Sequence, residues 1–269
     1  MAVQVTKDEA RWTLPTDPYM SSSATVDQAW SQVQASCMHE RGHSSFKVRF
    51  DASAPAPQTL AADGFSQVFN EQVAAKYGYR QAPDARDLLA DEVAASGGSL
   101  YANESADFQS DLGECATEAD TELNGGVEPT YSAADAASGS ITDQLNQLHV
   151  DTASSELSSA AKAWRTCMAP LGISDLPQTP WDPNGRPPDS LVDEWGWQST
   201  GQASADEIRV ATADAACRRS SGWFDRYYDA GWSQREAFVS QHLGDLEPIR
   251  LDMEAKRARA EKILAKGDS

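Results

Sequence analysis

No run of 18 apolar residues occurs in this chain, so no segment has the length and hydrophobicity of a membrane-spanning helix. Basic residues are scarce: 22 Lys and Arg stand against 41 Asp and Glu, for a formal net charge of −19. Nucleic-acid binding rests on cations meeting phosphates, so this balance argues against nucleic-acid partners. Glycine-rich phosphate loops of the Walker or dinucleotide type are missing, which sets nucleotide enzymes aside. Only four histidines occur, and no Gly-x-Ser-x-Gly elbow accompanies them, which argues against a serine hydrolase. No cofactor is expected. With 40% hydrophobic and 23% charged residues among 269, the chain can build an ordinary core, and one or two domains are expected.

What is present is helical periodicity. Val26, Ala29, Trp30, Val33 and Cys37 share one helix face, and Gly42 is the expected stop. Phe46 to Phe50 alternates apolar and charged residues as a short strand would. Phe65, Val68, Phe69 and Val73 predict a second helix closing at Tyr77-Gly78-Tyr79, and a third is expected over 84–95. Phe108, Leu112, Cys115, Ala119 and Leu123 predict a strong amphipathic helix ended by Gly125-Gly126. A weak helix is expected near Ile141 to Leu148, and a further stripe runs from Leu157 to Leu171. The proline-rich stretch 174–190 reads as a structured loop, with a type I turn at Asp182-Pro183-Asn184-Gly185. Helical spacing resumes at Val210, Ala213 and Cys217. It returns over 233–265, with a break near Gly244 to Pro248.

The expected class is therefore mainly α, with at most a short strand or hairpin. The expected organisation is an extended N-terminal arm (1–24), a first helical half (25–126), a connecting segment (127–155) and a second helical half (156–269) with a long C-terminal helix. The halves echo each other. Cys37-Met38-x-x-x-Gly42 recurs as Cys167-Met168-x-x-x-Gly172, each closing a helix that contains a tryptophan, and each half carries one further cysteine, Cys115 or Cys217. Four cysteines allow three pairings. The economical one joins Cys37 to Cys115 and Cys167 to Cys217, stapling each half; the alternative is four buried free thiols packed as small hydrophobes. Disulfides imply an oxidising compartment. No apolar leader follows Met1, so an extracytoplasmic expectation supposes a trimmed signal peptide, with or without a lipid anchor.

Taken together these residues resemble a group of uncharacterised secreted or lipid-anchored actinobacterial proteins with paired Cys-Met-x-x-x-Gly helices. The shared elements are the start Trp12 to Tyr19, Cys37 to Gly42, Tyr77 to Tyr79, Gly113 to Cys115, Trp164 to Gly172 and Ala213 to Cys217. The resemblance implies compartment and architecture; it transfers no catalytic residue.

Two patterns bear on chemistry. His39-Glu40-Arg41-Gly42-His43 is a literal His-Glu-x-x-His, which on a continuous helix holds Zn²⁺ with Glu40 as general base. Glu71 is the only tempting third ligand. Against a zinc peptidase stand the expected stop at Gly42 and the second Cys-Met-x-x-x-Gly copy, which has no histidine. The other pattern is aromatic. Trp181, Trp195, Trp197, Trp223 and Tyr227, with Phe224, Tyr228 and Trp232, crowd one stretch and suit either a core or a ligand platform near Trp181 to Trp197, between the halves. The acidic run 84–128, with twelve acids and Arg86 alone as base, reads as a solvated face, and the basic stretch 250–266 as an exposed helix or one docked on that face. The function expected is non-catalytic: an extracytoplasmic protein bound to an envelope component or small ligand, with a zinc metallopeptidase as the alternative. Any membrane association would come only through a lipid anchor.

Overall fold

A computed structural model describes residues 2–20, 23–128, 140–181 and 186–267. The fold is mainly helical. The α-helices are α1 Ala24–Glu40, α2 Glu71–Tyr77, α3 Ala90–Ala95, α4 Ala106–Leu123, α5 Ile141–Asn146, α6 Ser155–Met168, α7 Asp189–Trp195, α8 Ala205–Ser220 and α9 Trp223–Gly267. The described residues contain no strand, only the isolated bridges Phe50–Asp87 and Leu60–Gln67. Helix starts follow local chemistry. Ser105, Ser154 and Ser204 each accept a hydrogen bond from the backbone N–H three residues on, and Asn70 does the same for Val73.

Two compact units divide the chain, and they interleave along the sequence. The first comprises Met1–Ser21, Pro57–Pro83 and Ile141–Leu246; the second comprises Ser22–Ala56, Asp84–Ser140 and Glu247–Ser269. In the second unit α1 packs on α4. Cys37 and Cys115 bridge them at a Cα–Cα distance of 5.6 Å, inside a cluster with Ala35, Met38, Phe46 and Phe108. The indole of Trp30 on α1 donates to Asp120 on α4 at 2.8 Å.

In the first unit α8 packs against both α2 and α6, and Cys167 and Cys217 bridge α6 to α8 at 5.7 Å. A buried polar network pins these helices. Asp214 on α8 is fully buried and accepts from the Trp164 indole at 2.7 Å, the Tyr79 hydroxyl at 3.2 Å and the Arg218 guanidinium at 2.9 Å. Glu207, one helical stretch earlier, accepts from Arg80 at 2.9 Å and from the Tyr79 backbone at 3.2 Å. That approach needs Gly78, at φ +62: a Cβ there would lie 2.8 Å from the Glu207 carboxylate.

The two staples differ in exposure. Cys37 and Cys115 are both buried, whereas Cys167 is exposed and only Cys217 is buried. Thiol–disulfide exchange needs access to the sulfur. Mild reduction of the native protein followed by alkylation is therefore expected to label Cys167 and Cys217 well before Cys37 and Cys115, as peptide mapping by mass spectrometry would report. Equal labelling at all four would contradict this.

Several sequence expectations require correction. Phe46 to Phe50 alternates in burial but forms no strand: the Phe46 backbone bonds to His43 and His39 and the Arg49 backbone to the Ser31 side chain and Leu88, so no neighbouring strand extends the Phe50–Asp87 bridge. The helix expected from Phe65 begins only at Glu71. Asp63 accepts from the N–H groups of Phe65 and Ser66, which holds that segment in a turn, and Asn70 caps the true start. The third helix likewise shrinks to Ala90–Ala95, because Asp84 and Asp87 bond to backbone N–H groups two residues on. The proline-rich loop runs directly into α7 at Asp189, and its expected type I turn at 182–185 lies outside the described residues. The last helix begins at Trp223, ten residues before the start expected at Ser233, and departs from helical geometry at His242, ahead of Pro248.

Candidate functional site

The first unit encloses a cavity of about 380 Å³, at the lower end of the range of about 300 to 1,000 Å³ usual for small-molecule sites. Its floor is a stripe of α9 in which every fourth residue faces inward: Trp223, Tyr227, Gly231 and Arg235. Glycine in a helix interior costs up to about 1 kcal/mol relative to alanine. Here its missing side chain leaves room between an aromatic pair and a guanidinium.

The arm contributes Trp12, Leu14 and Asp17. Trp12 lies against Phe224, Tyr227 and Tyr228 at centroid distances of 5.3, 6.3 and 4.8 Å, and Trp223 stacks on Tyr227 at 5.7 Å. The turn of Asp63 to Gln67 supplies a carboxylate and Phe65, an exposed aromatic at the cavity's edge. The segment from α5 into its following loop supplies Leu145, Leu148 and His149.

The back wall is tied by several contacts. Arg218 and Trp181 line the cavity, and Arg218 is held three ways: by Asp214, by a bond to the Trp181 carbonyl at 2.8 Å, and over the rings of Phe69 and Trp181 at 5.0 and 5.4 Å. The Trp181 indole N–H is buried without an acceptor among the described residues. Such donors usually find a partner, and an orphan beside a cavity calls for an explanation.

Charge in the cavity is strained by burial. The Asp17 carboxyl, which accepts from Leu14 N–H at 2.9 Å, is pushed up to about 6, first by burial and further by the neighbouring Asp63 charge; the Leu14 bond and Arg235 oppose the rise. Arg235 is pushed down, again by burial first, while Asp17 and Asp63 act in its favour. A raised carboxyl means that the fold prefers Asp17 neutral. The cost is present above pH 6 and vanishes below about pH 4, where the unfolded chain also binds the proton. Asp17→Asn keeps the acceptor and removes the charge. Denaturation midpoints should place this variant about 1 to 2 kcal/mol above the parent at pH 7, after discounting for residual solvation, with the gap closing as pH falls to 4. A constant gap over that range would contradict the assignment.

Of the aromatics singled out from sequence, Trp181, Trp223 and Tyr227 line this cavity. Trp195 and Trp197 pack against the Phe69 and Tyr79 cluster and do not line it. Asp17, Asp63, Gly231 and Arg235 were not picked out in sequence, although the i+4 spacing of Trp223, Tyr227, Gly231 and Arg235 was there to be seen.

The His-Glu-x-x-His residues adopt another arrangement. α1 ends at Glu40, and Gly42 at φ +97 turns the chain, so His39 and His43 do not share a helix face. His39 Nε2 lies 2.7 Å from the Phe46 carbonyl and His43 Nε2 2.8 Å from Asp111, which also receives Arg41. Glu71 opens α2 in the first unit and pairs with Arg219 at 3.4 Å. Among the described residues no group of three or more His, Cys, Asp or Glu side chains is arranged to hold a metal ion. No family model, curated protein or solved structure matches the chain.

Proposed function

We propose that this protein works outside the cytoplasm as a non-catalytic envelope protein that binds a small ligand in the cavity of its first unit. The observation that carries the reading is the cavity itself: aromatic walls, a glycine-made space on a long helix and an orphaned indole donor, all braced by a buried network. The two disulfides support the compartment, since such bonds persist where the surroundings cannot reduce them. A signal peptide and lipid anchor belong to the same proposal and rest on the resemblance to secreted and lipid-anchored proteins.

Three tryptophans border the cavity, so their emission reports occupancy. Titration with peptidoglycan fragments, oligosaccharides, amino acids and short peptides should produce a saturable change with at least one class. A flat response across the panel would overturn ligand binding and leave a scaffold role. Fractionation of the native host should find the protein outside the cytoplasm, with no free thiol in unreduced, denatured material; four reactive thiols would overturn the compartment.

A further inference from the structure

We infer that the cavity takes a neutral monosaccharide, with the C–H face of its ring against the aromatic wall and its hydroxyls on Trp181, Asp63 and Arg235. The inference rests on the reading of this cavity as a ligand site and goes further by naming the ligand class.

The charges on the wall are already answered within the protein. Asp17, Asp63, Arg218 and Arg235 line the cavity, two of each sign. Arg218 is engaged by Asp214 at 2.9 Å and by the Trp181 carbonyl at 2.8 Å. The charges of Asp17 and Asp63 both favour the Arg235 cation, which also donates to the Gly231 carbonyl at 3.4 Å. Asp17 accepts from the Leu14 N–H, and Asp63 Oδ1 from the N–H groups of Phe65 and Ser66. A charged ligand would give up its hydration here and compete with pairings already made.

What the wall leaves open is hydrogen bonding of both kinds. The Trp181 indole N–H is buried without an acceptor among the described residues, and a guanidinium such as that of Arg235 has N–H groups beyond the one given to Gly231. Asp63 is buried, and its Oδ2 accepts no bond among the described residues. Gln67, Asn146, His149 and Thr152 also line the cavity, each able to donate and to accept.

A purely apolar ligand would seal these groups from water and return no bond. A ligand with acceptors alone would leave Asp63 unmet. A hydroxyl both donates and accepts, so a ring that carries several meets donors and acceptor together and brings no charge. A sugar joins that hydroxyl rim to a C–H face, and C–H groups lie well against the electron-rich faces of rings such as Trp12, Trp223 and Tyr227. The volume of about 380 Å³, near the bottom of the usual range, suits a ligand of a single ring.

The test is calorimetric titration of the intact, oxidised chain at pH 7 with glucose, galactose, mannose and N-acetylglucosamine. Alongside run the corresponding hexosamines, which carry an ammonium, the hexuronates, which carry a carboxylate, and cyclohexanol, a ring with one hydroxyl. At least one neutral sugar should bind with a Kd of about 1 mM or tighter. Its charged counterparts and cyclohexanol should each bind at least about tenfold more weakly. Asp63→Asn, which keeps the turn's acceptor, and Arg235→Met should each weaken the sugar about tenfold or more, the worth of a hydrogen bond to a charged group. Far-UV circular dichroism checks that both variants are folded.

Equal binding of a hexosamine, a hexuronate or cyclohexanol would overturn the reading of a neutral, hydroxyl-rich ligand, and unchanged sugar affinity in both variants would overturn its place in the cavity. Failure of all four neutral sugars would also overturn the inference; the cavity would remain a ligand site if amino acids, short peptides or larger glycans still changed tryptophan emission. Silence toward every probe would remove both.

Discussion

Replacing Asp214 with alanine is expected to destabilise the first unit by about 3 to 5 kcal/mol, the range for breaking a buried ion pair from one side. The carboxylate is fully buried and serves three donors on three segments: Trp164 on α6, Tyr79 after α2 and Arg218 one turn further along α8. Alanine strands all three. The Arg218 charge is then buried without a counter-ion, and the Trp164 indole and Tyr79 hydroxyl lose their acceptor. Because Arg218 and Trp181 form the back wall of the cavity, ligand binding should fall together with stability. Asp214→Asn keeps an acceptor and should recover part of the loss from Trp164 and Tyr79 while leaving Arg218 unpaired. Urea unfolding followed by tryptophan emission measures all three forms, and a loss under 1 kcal/mol in the alanine variant would contradict this account of the core.

The second large effect concerns the buried staple. The bond between Cys37 and Cys115 closes a sequence separation of 78 residues, and in the chain-entropy model a loop of this length stabilises by roughly 4 kcal/mol. The double substitution Cys37→Ala, Cys115→Ala should cost about that much, since alanine suits the apolar surroundings of Met38, Phe46 and Phe108 and adds no unpaired polar group. The loss should appear in the second unit, whose α1 and α4 the bond joins, and hydrogen exchange should accelerate there first. Unchanged stability would mean that helix packing alone holds this pair.

Much of the architecture was legible in the chain. The stripes of α1, α4 and α6 were continuous and bounded by glycine, and the repeated Cys-Met-x-x-x-Gly placed one cysteine at a helix end in each half, so the pairing followed from economy. Periodicity misled where side chains competed with the backbone. Phe65 to Val73 has helical spacing, yet Asp63 and Asn70 divert the N–H groups and leave Phe65 exposed on a turn.

The candidate site was half legible. Trp181, Trp223 and Tyr227 could be named from aromatic density alone. Asp17 and Asp63 could not, because they sit on irregular segments whose meeting with α9 depends on tertiary packing. Gly231 and Arg235 were obscured for a different reason: the apolar stripe weakens there, which delayed the apparent start of α9 to Ser233. That weakening is the cavity itself, a helix face left open and charged.

Gly231→Leu tests the central claim most directly, because it fills the cavity from a helix position where an added Cβ meets only ordinary contacts with Arg235 and Val150. Helix propensity should keep the variant folded and at least as helical as the parent. Whichever probe changes the parent's tryptophan emission saturably should leave the variant's emission flat. Equal saturation in both proteins would show that the ligand sits elsewhere.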